Sequence, residues 1–201
     1  MSFLNICKTY AAPKISEKEI LRYAKTNTKD LSALELARNC LSELENKLKY
    51  MVCYQILNVK IQGNICDFGL FSIKSADLAK SLKNCSKVIV FAATVGVEID
   101  RLINRYTRIS PSRSLMLSAI GTERIEALCD EFCVDMIKQL GLPLTPRFSP
   151  GYGDLPLETQ KDIFNILDCN KNLGISLNES LLISPSKSVT AFAGILDGDQ
   201  L

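Results

Sequence analysis

At Tyr50 the apolar pattern of this chain changes period, and that change limits the folds open to it. Up to Leu48 the apolar residues recur at helical spacing, through Leu31, Leu34, Leu36, Ala37, Leu41, Leu44 and Leu48, from a start near Asp30. Ahead of them Ser16 and Glu19 make a capping box for a helix that runs into Ile20-Leu21. The N-terminal part, about 1–48, therefore reads as helical. From Tyr50 to Val59 the chain is rich in Val, Tyr, Ile and Cys, which is strand chemistry. A turn at Gly63-Asn64 leads into a second β-type run, Ile65 to Phe71. Two such runs around a turn predict an antiparallel hairpin.

The remaining segments extend that pattern. Ser75 to Leu82 reads as a short helix, Lys87 to Ala93 as a buried strand and Val97 to Tyr106 as a helix. A long helical stretch runs from about Pro111 to Leu140, with Gly121 as the one candidate break, and Gly141-Leu142-Pro143 stops it. Leu157 to Leu167 reads as a further helix, and Ile175 to Leu196 alternates enough for two more strands. A hairpin, a late strand pair and segregated helices argue for an α+β fold, a twisted antiparallel sheet with helices packed around it, over a doubly wound sheet. With 201 residues, 47% of them hydrophobic, one unit spanning 1–201 suffices for a core.

Composition narrows the chemistry. The chain has no His. That excludes Ser-His-Asp and Cys-His nucleophile schemes, and every imidazole ligand to zinc, iron or cobalt. Its 24 basic and 22 acidic residues leave a net charge of +2, which does not describe a nucleic-acid surface. Eight cysteines occur without any CxxC pair, mostly among apolar neighbours as in Met51-Val52-Cys53-Tyr54. They read as buried free thiols of a reducing, cytoplasmic compartment. Met1 to Lys8 has no basic n-region, and the longest apolar run, Val88 to Ala93, is far too short for a membrane span.

One segment stands out for binding chemistry: Pro146-Arg147-Phe148-Ser149-Pro150-Gly151-Tyr152-Gly153-Asp154-Leu155-Pro156. Its glycines and prolines impose an unusual backbone path that lets a ligand approach main-chain groups. Arg147 offers a planar fork for a carboxylate, and Tyr152 an aromatic face with a hydroxyl. From residue types alone, a site for a ligand with a carboxylate and a flat ring stands beside the alternative of an ordered structural loop.

Arg147-x-x-x-Gly151-Tyr152 resembles the RxxxGY signature of the S-adenosylmethionine-binding activation domain of cobalamin-dependent methionine synthase. The surrounding run at 147–160, ending in Gln160, is similar to stand-alone members of that family. So are Leu173-Gly174-Ile175, Asn178-Glu179-Ser180 and Pro185-Ser186-Lys187-Ser188-Val189. The likeness covers the chain from about Thr94 onward, and reaches the first half only through phrases such as Ile20-Leu21-Arg22-Tyr23.

That resemblance implies an activation-domain fold that binds S-adenosylmethionine and presents its methyl group to cobalamin oxidised to Co(II), with an electron from a flavodoxin-type donor. By motif position, Arg147 would hold the methionyl carboxylate, Ser149 and Gly151 would offer backbone contacts to the adenosine, and Tyr152 would pack beside the ligand. A Glu on the preceding long helix would face the ligand's positive charge; Glu126 is the best match, with Glu123 and Asp130 as rivals. The chain lacks the family's homocysteine, folate and cobalamin modules, so cobalamin would sit on a partner, a methionine synthase without its own activation domain. Gly153-Asp154-Leu155 replaces the family's Cys-bearing segment after the Gly-Tyr pair. The alternatives are reactivation of another corrinoid methyltransferase, or a non-catalytic small-molecule-binding module.

Overall fold

The computed structural model describes residues 4–197. The sequence reading of the N-terminus therefore falls in part, at Met1 to Phe3, outside the described residues. In chain order the elements are β1 (Ile6–Tyr10), α1 (Glu17–Tyr23), α2 (Leu31–Leu44), β2 (Tyr50–Asn58), β3 (Lys60–Gln62), β4 (Ile65–Asp67), β5 (Ser72–Lys74), α3 (Ala76–Ser81), β6 (Cys85–Thr94), α4 (Glu98–Tyr106), α5 (Pro111–Leu140), α6 (Thr159–Leu167), α7 (Cys169–Leu173), β7 (Ser176–Leu177), β8 (Ile183–Ser184) and β9 (Ser188–Leu196).

The main sheet is antiparallel throughout, in the order β1-β2-β6-β9. Both of its faces are buried. Side chains alternate across a strand, so Ile89, Phe91 and Ala93 of β6 meet one core with α1, α2, α4 and α5. Val88, Val90 and Ala92 meet a second core with α3, α6, α7 and the small sheet β3-β4-β5. Burial on both sides explains why β6 reads as a continuous apolar run instead of an alternating one. The result is the mixed α+β, antiparallel architecture expected from the pattern.

Helix ends follow their local signals. α5 runs from Pro111, at its first turn, to Leu140, with Gly141 beyond it at φ 67° in the left-handed region that ends helices. Gly121 does not break α5. A Cβ there would lie 2.8 Å from Lys187 Cγ and 3.0 Å from Ile99 Cγ1, so this glycine admits a close neighbour. The Ser16 hydroxyl caps α1 by accepting the Glu19 N–H at 3.4 Å. The other half of the expected capping box is not made. The Ser16 N–H donates to Glu123 of α5 at 3.0 Å, while Glu19 pairs with Arg22.

Three expectations need correction. The part about 1–48 is not helical from its start, since β1 precedes α1 and pairs with β2 in the register Cys7 to Cys53. The turn at Gly63-Asn64 joins β3 to β4, not β2 to β4; β2 takes β1 and β6 as its neighbours. The C-terminal stretch holds three strands, of which β7 and β8 form a two-residue hairpin and β9 completes the main sheet.

Candidate functional site

The loop between α5 and α6 is stitched to the edge of the main sheet. The Phe148 N–H donates to the Phe192 carbonyl at 2.9 Å, and the Phe192 N–H returns to the Phe148 carbonyl at 2.8 Å. Thr145 bonds Gly194 in the same way, by backbone at 2.8 Å and by its hydroxyl at 2.9 Å. A chain held extended against β9 points successive side chains to opposite faces. Phe148 accordingly packs into the core under α6 and α7, while Arg147 reaches α5.

On α5, Glu126 and Asp130 are four residues apart and so share a face. Both accept from Arg147: Nη2 donates to Glu126 Oε2 at 2.8 Å and Nη1 to Asp130 Oδ1 at 2.5 Å. The Arg147 side chain is 23% exposed, against 42% for Glu126 and 71% for Asp130. Burial works against the charge on Arg147, but the Asp130 hydrogen bond and neighbouring charges outweigh it and hold its pKa above the ordinary value. One cation against two carboxylates leaves the cluster with a net charge of −1.

Beside this cluster lies a cavity of about 470 Å³, within the size range of small-ligand sites. Arg147, Ser149, Tyr152 and Glu126 line it, which brings four of the five sequence-predicted residues together. Gly151 is not among its lining residues. It turns the loop at φ 89° and donates its N–H to the Leu155 carbonyl at 2.9 Å. The Ser149 carbonyl accepts the Tyr152 N–H at 3.2 Å, so the loop's own turn uses part of the backbone that was expected to face a ligand. Of the two rivals to Glu126, Asp130 belongs to the clamp. Glu123 does not: it is 4% exposed, is bonded to Arg124 and Ser16, and is not among the cavity's lining residues.

Sequence reasoning missed two features of this site. Gln160, 7% exposed, lines the cavity with its Oε1 unpaired. Its place at the end of the RxxxGY-containing run was the only signal available for it. The second is Gly153-Asp154. Asp154 caps α3 across the fold, accepting the Ala76 N–H at 2.7 Å, the Asp77 N–H at 3.1 Å and the Ser75 hydroxyl at 2.5 Å. Gly153, at φ 54°, passes so close that a Cβ would lie 2.3 Å from Asp77 Oδ2.

A larger cavity, about 860 Å³, opens among Tyr10, Ile15, Leu44 and Tyr50. Its buried guanidinium, Arg124, is already committed to Glu123 and to the carbonyls of Pro13 and Lys14. Among the described residues no group of three or more His, Cys, Asp or Glu side chains is placed to hold a metal ion, and no helix is long and apolar enough to cross a membrane.

The fold and site define an α+β unit with a cavity of small-ligand size at the edge of its antiparallel sheet. Among solved structures, the reactivation domain of MetH bound to AdoHcy is similar to this chain, with a TM-score of 0.70 at 14% identity, over 99% of this chain and 80% of that one. At that identity the likeness is one of fold, and the chain has the fold of the MetH reactivation domain. No family model and no curated protein matches the sequence.

Proposed function

We propose that this chain binds S-adenosylmethionine in the cavity beside Arg147 and supports reductive remethylation of oxidised cobalamin carried by a partner methionine synthase. The observation that carries the reading is the Arg147–Glu126 pair facing a cavity on a fold shared with a domain solved with AdoHcy. An amino-acid head group carries one carboxylate and one ammonium. Arg147 suits the first through its planar fork, and Glu126 suits the second. Inserting the ligand exchanges one ion pair within the protein for two with the ligand, while Asp130 stays on the far side of the guanidinium.

Charge supports the same reading. S-adenosylmethionine carries a carboxylate, an ammonium and a sulfonium, a net +1, which complements the −1 of the cluster. Tyr152, Pro150 and Phe148 give the cavity flat apolar surfaces for a ring. The buried, unpaired amide oxygen of Gln160 fits a site completed by a polar ligand.

In the reaction proposed, the partner's Co(II) takes one electron from a flavodoxin-type donor together with the sulfonium methyl group, the methyl–sulfur bond breaks as a methyl–cobalt bond forms, and S-adenosylhomocysteine leaves. The chain has no imidazole to offer cobalt. Its own residues hold and orient the donor, and its cavity must open toward the partner. This makes the chain an accessory subunit, with methyl donor and acceptor meeting across a transient interface.

Titration calorimetry of the purified chain with S-adenosylmethionine tests the reading. Saturable one-to-one binding is expected, with no retention of cobalamin. Methylation should require an added corrinoid protein and an electron source. Absence of binding overturns the proposal, and tight cobalamin binding by the isolated chain overturns the division of labour.

A further inference from the structure

We propose that Gln160 is the residue that reads the purine of the ligand, a role that rests on the S-adenosyl reading of the cavity. Three buried side-chain polar atoms lack a hydrogen-bond partner among the described residues: Gln55 Oε1, Arg113 Nε and Gln160 Oε1. Gln55 spends its amide nitrogen on Asn5 and the Ile166 carbonyl, and Arg113 spends a terminal nitrogen on Glu43. Gln160 alone of the three lines the cavity beside Arg147. A buried amide oxygen without a partner is costly, and such groups call for an explanation.

Its position is fixed by backbone. Gln160 stands in the first turn of α6, and its N–H donates to the Leu157 carbonyl at 3.0 Å. Only its side chain is left to respond to a ligand. A primary amide presents an acceptor and a donor side by side. Adenine presents the complementary pair, an exocyclic amine next to a ring nitrogen, which is why Gln and Asn are the side chains that pair bidentately with adenine in nucleic acids. Gln160 accepts from the amine and donates to N7; in the inosyl base O6 and N7 both accept, so one of the two hydrogen bonds is lost whichever way the amide is turned. Phe148, Pro150 and Val189 line the same cavity and offer surfaces on which the ring can lie. Arg147 and Glu126 are then left for the amino-acid head, so that each chemically distinct part of the ligand has its own partner.

The test compares S-adenosylhomocysteine with S-inosylhomocysteine, in which a carbonyl oxygen replaces the amine. The wild-type chain should bind the adenosyl compound at least about tenfold tighter, the discrimination expected of one good bidentate pair. Gln160→Met should lose about tenfold in affinity for the adenosyl compound and bind the two compounds alike. Its melting temperature without ligand should equal or exceed that of wild type, because the substitution removes an unpaired buried group. Equal binding of both compounds by wild type overturns the assignment to Gln160 and leaves the S-adenosyl reading standing. So does a Gln160→Met variant that keeps the wild-type preference. Failure of wild type to bind either compound overturns both. The wild-type comparison does not depend on any variant folding.

Discussion

The carboxylate of Asp154 accepts the backbone N–H of Ala76 at 2.7 Å, which ties the loop bearing Arg147 and Tyr152 to the first turn of a helix 78 residues earlier in the chain. The hydrogen bonds from Ser75, Ala76 and Asp77 hold the Asp154 pKa below the usual carboxylate range, the Ser75 bond contributing most. A depressed folded-state pKa contributes stability above the unfolded pKa, and that contribution is lost as pH falls through the folded value. Asp154→Ala should therefore lower the melting temperature at pH 7, and the gap from wild type should close as pH falls below the carboxylate range. A gap that stays constant down to acid pH would refute the tie as an ionic one.

Arg147→Ala should weaken S-adenosylmethionine binding at least about tenfold with the fold retained, since truncating one partner of a partly buried charged pair costs roughly 2–5 kcal/mol. Arg147→Lys should not restore affinity, because a point charge cannot span Glu126, Asp130 and a ligand carboxylate as the fork does. Calorimetry gives the affinity and circular dichroism checks the fold. Unchanged affinity in Arg147→Ala would remove Arg147 from the site.

Glu126→Gln removes one negative charge from the cluster beside the cavity. S-adenosylmethionine carries a sulfonium that S-adenosylhomocysteine lacks, so the variant should lose more affinity for the first than for the second. Parallel titrations of the two ligands at low salt give the ratio. An equal loss for both would show that the sulfonium lies outside the field of Glu126, which then acts on the shared ammonium alone.

The legible parts of this fold are those governed by neighbours in sequence. The Pro111 and Gly141 signals bound α5 because both act within one turn. Ser75 marked α3 for the same reason. What the sequence concealed is partner choice. Ile6-Cys7-Lys8-Thr9-Tyr10 becomes a strand only because β2 lies alongside it, and its own pattern is too short and mixed to say so. Pairing of β2 with β6, not with the nearer β4, is likewise decided by the two buried cores. At the cavity, Arg147 and Tyr152 were visible from their residue types and their loop, and Glu126 only through a resemblance. Gln160 became notable only once burial left its amide unpaired, and Asp154 only once α3 came to meet it.

Glu123 and Arg124 form an ion pair with side chains 4% and 1% exposed. Removing one member of such a pair leaves an uncompensated charge in the core. Glu123→Ala should destabilise the chain by about 3–5 kcal/mol in urea denaturation. It also strands the Ser16 N–H that Glu123 accepts. A loss below about 1 kcal/mol would mean that the guanidinium finds water or another partner.

The thiols should react unevenly. Cys7 is exposed and Cys133 half-buried, whereas Cys40, Cys53, Cys66, Cys85, Cys129 and Cys169 are buried. Burial pushes the Cys66 and Cys85 thiols up to about 11 and Cys169 up to about 12. A thiol-specific reagent at pH 8 should modify Cys7 promptly, Cys133 more slowly and the other six only in denaturant. Prompt modification of most of the eight would contradict this packing.

α5 carries the buried Glu123–Arg124 pair and the Glu126–Asp130 clamp on one continuous cylinder. The first sets the rotational phase of the helix against α1; the second inherits that phase two residues later. Each residue turns an α-helix by about 100°. A single residue inserted between Arg124 and Glu126 would swing both carboxylates about 100° away from Arg147 while leaving the buried pair in place. Between positions 124 and 130 the spacing therefore works as a ruler that forbids insertion.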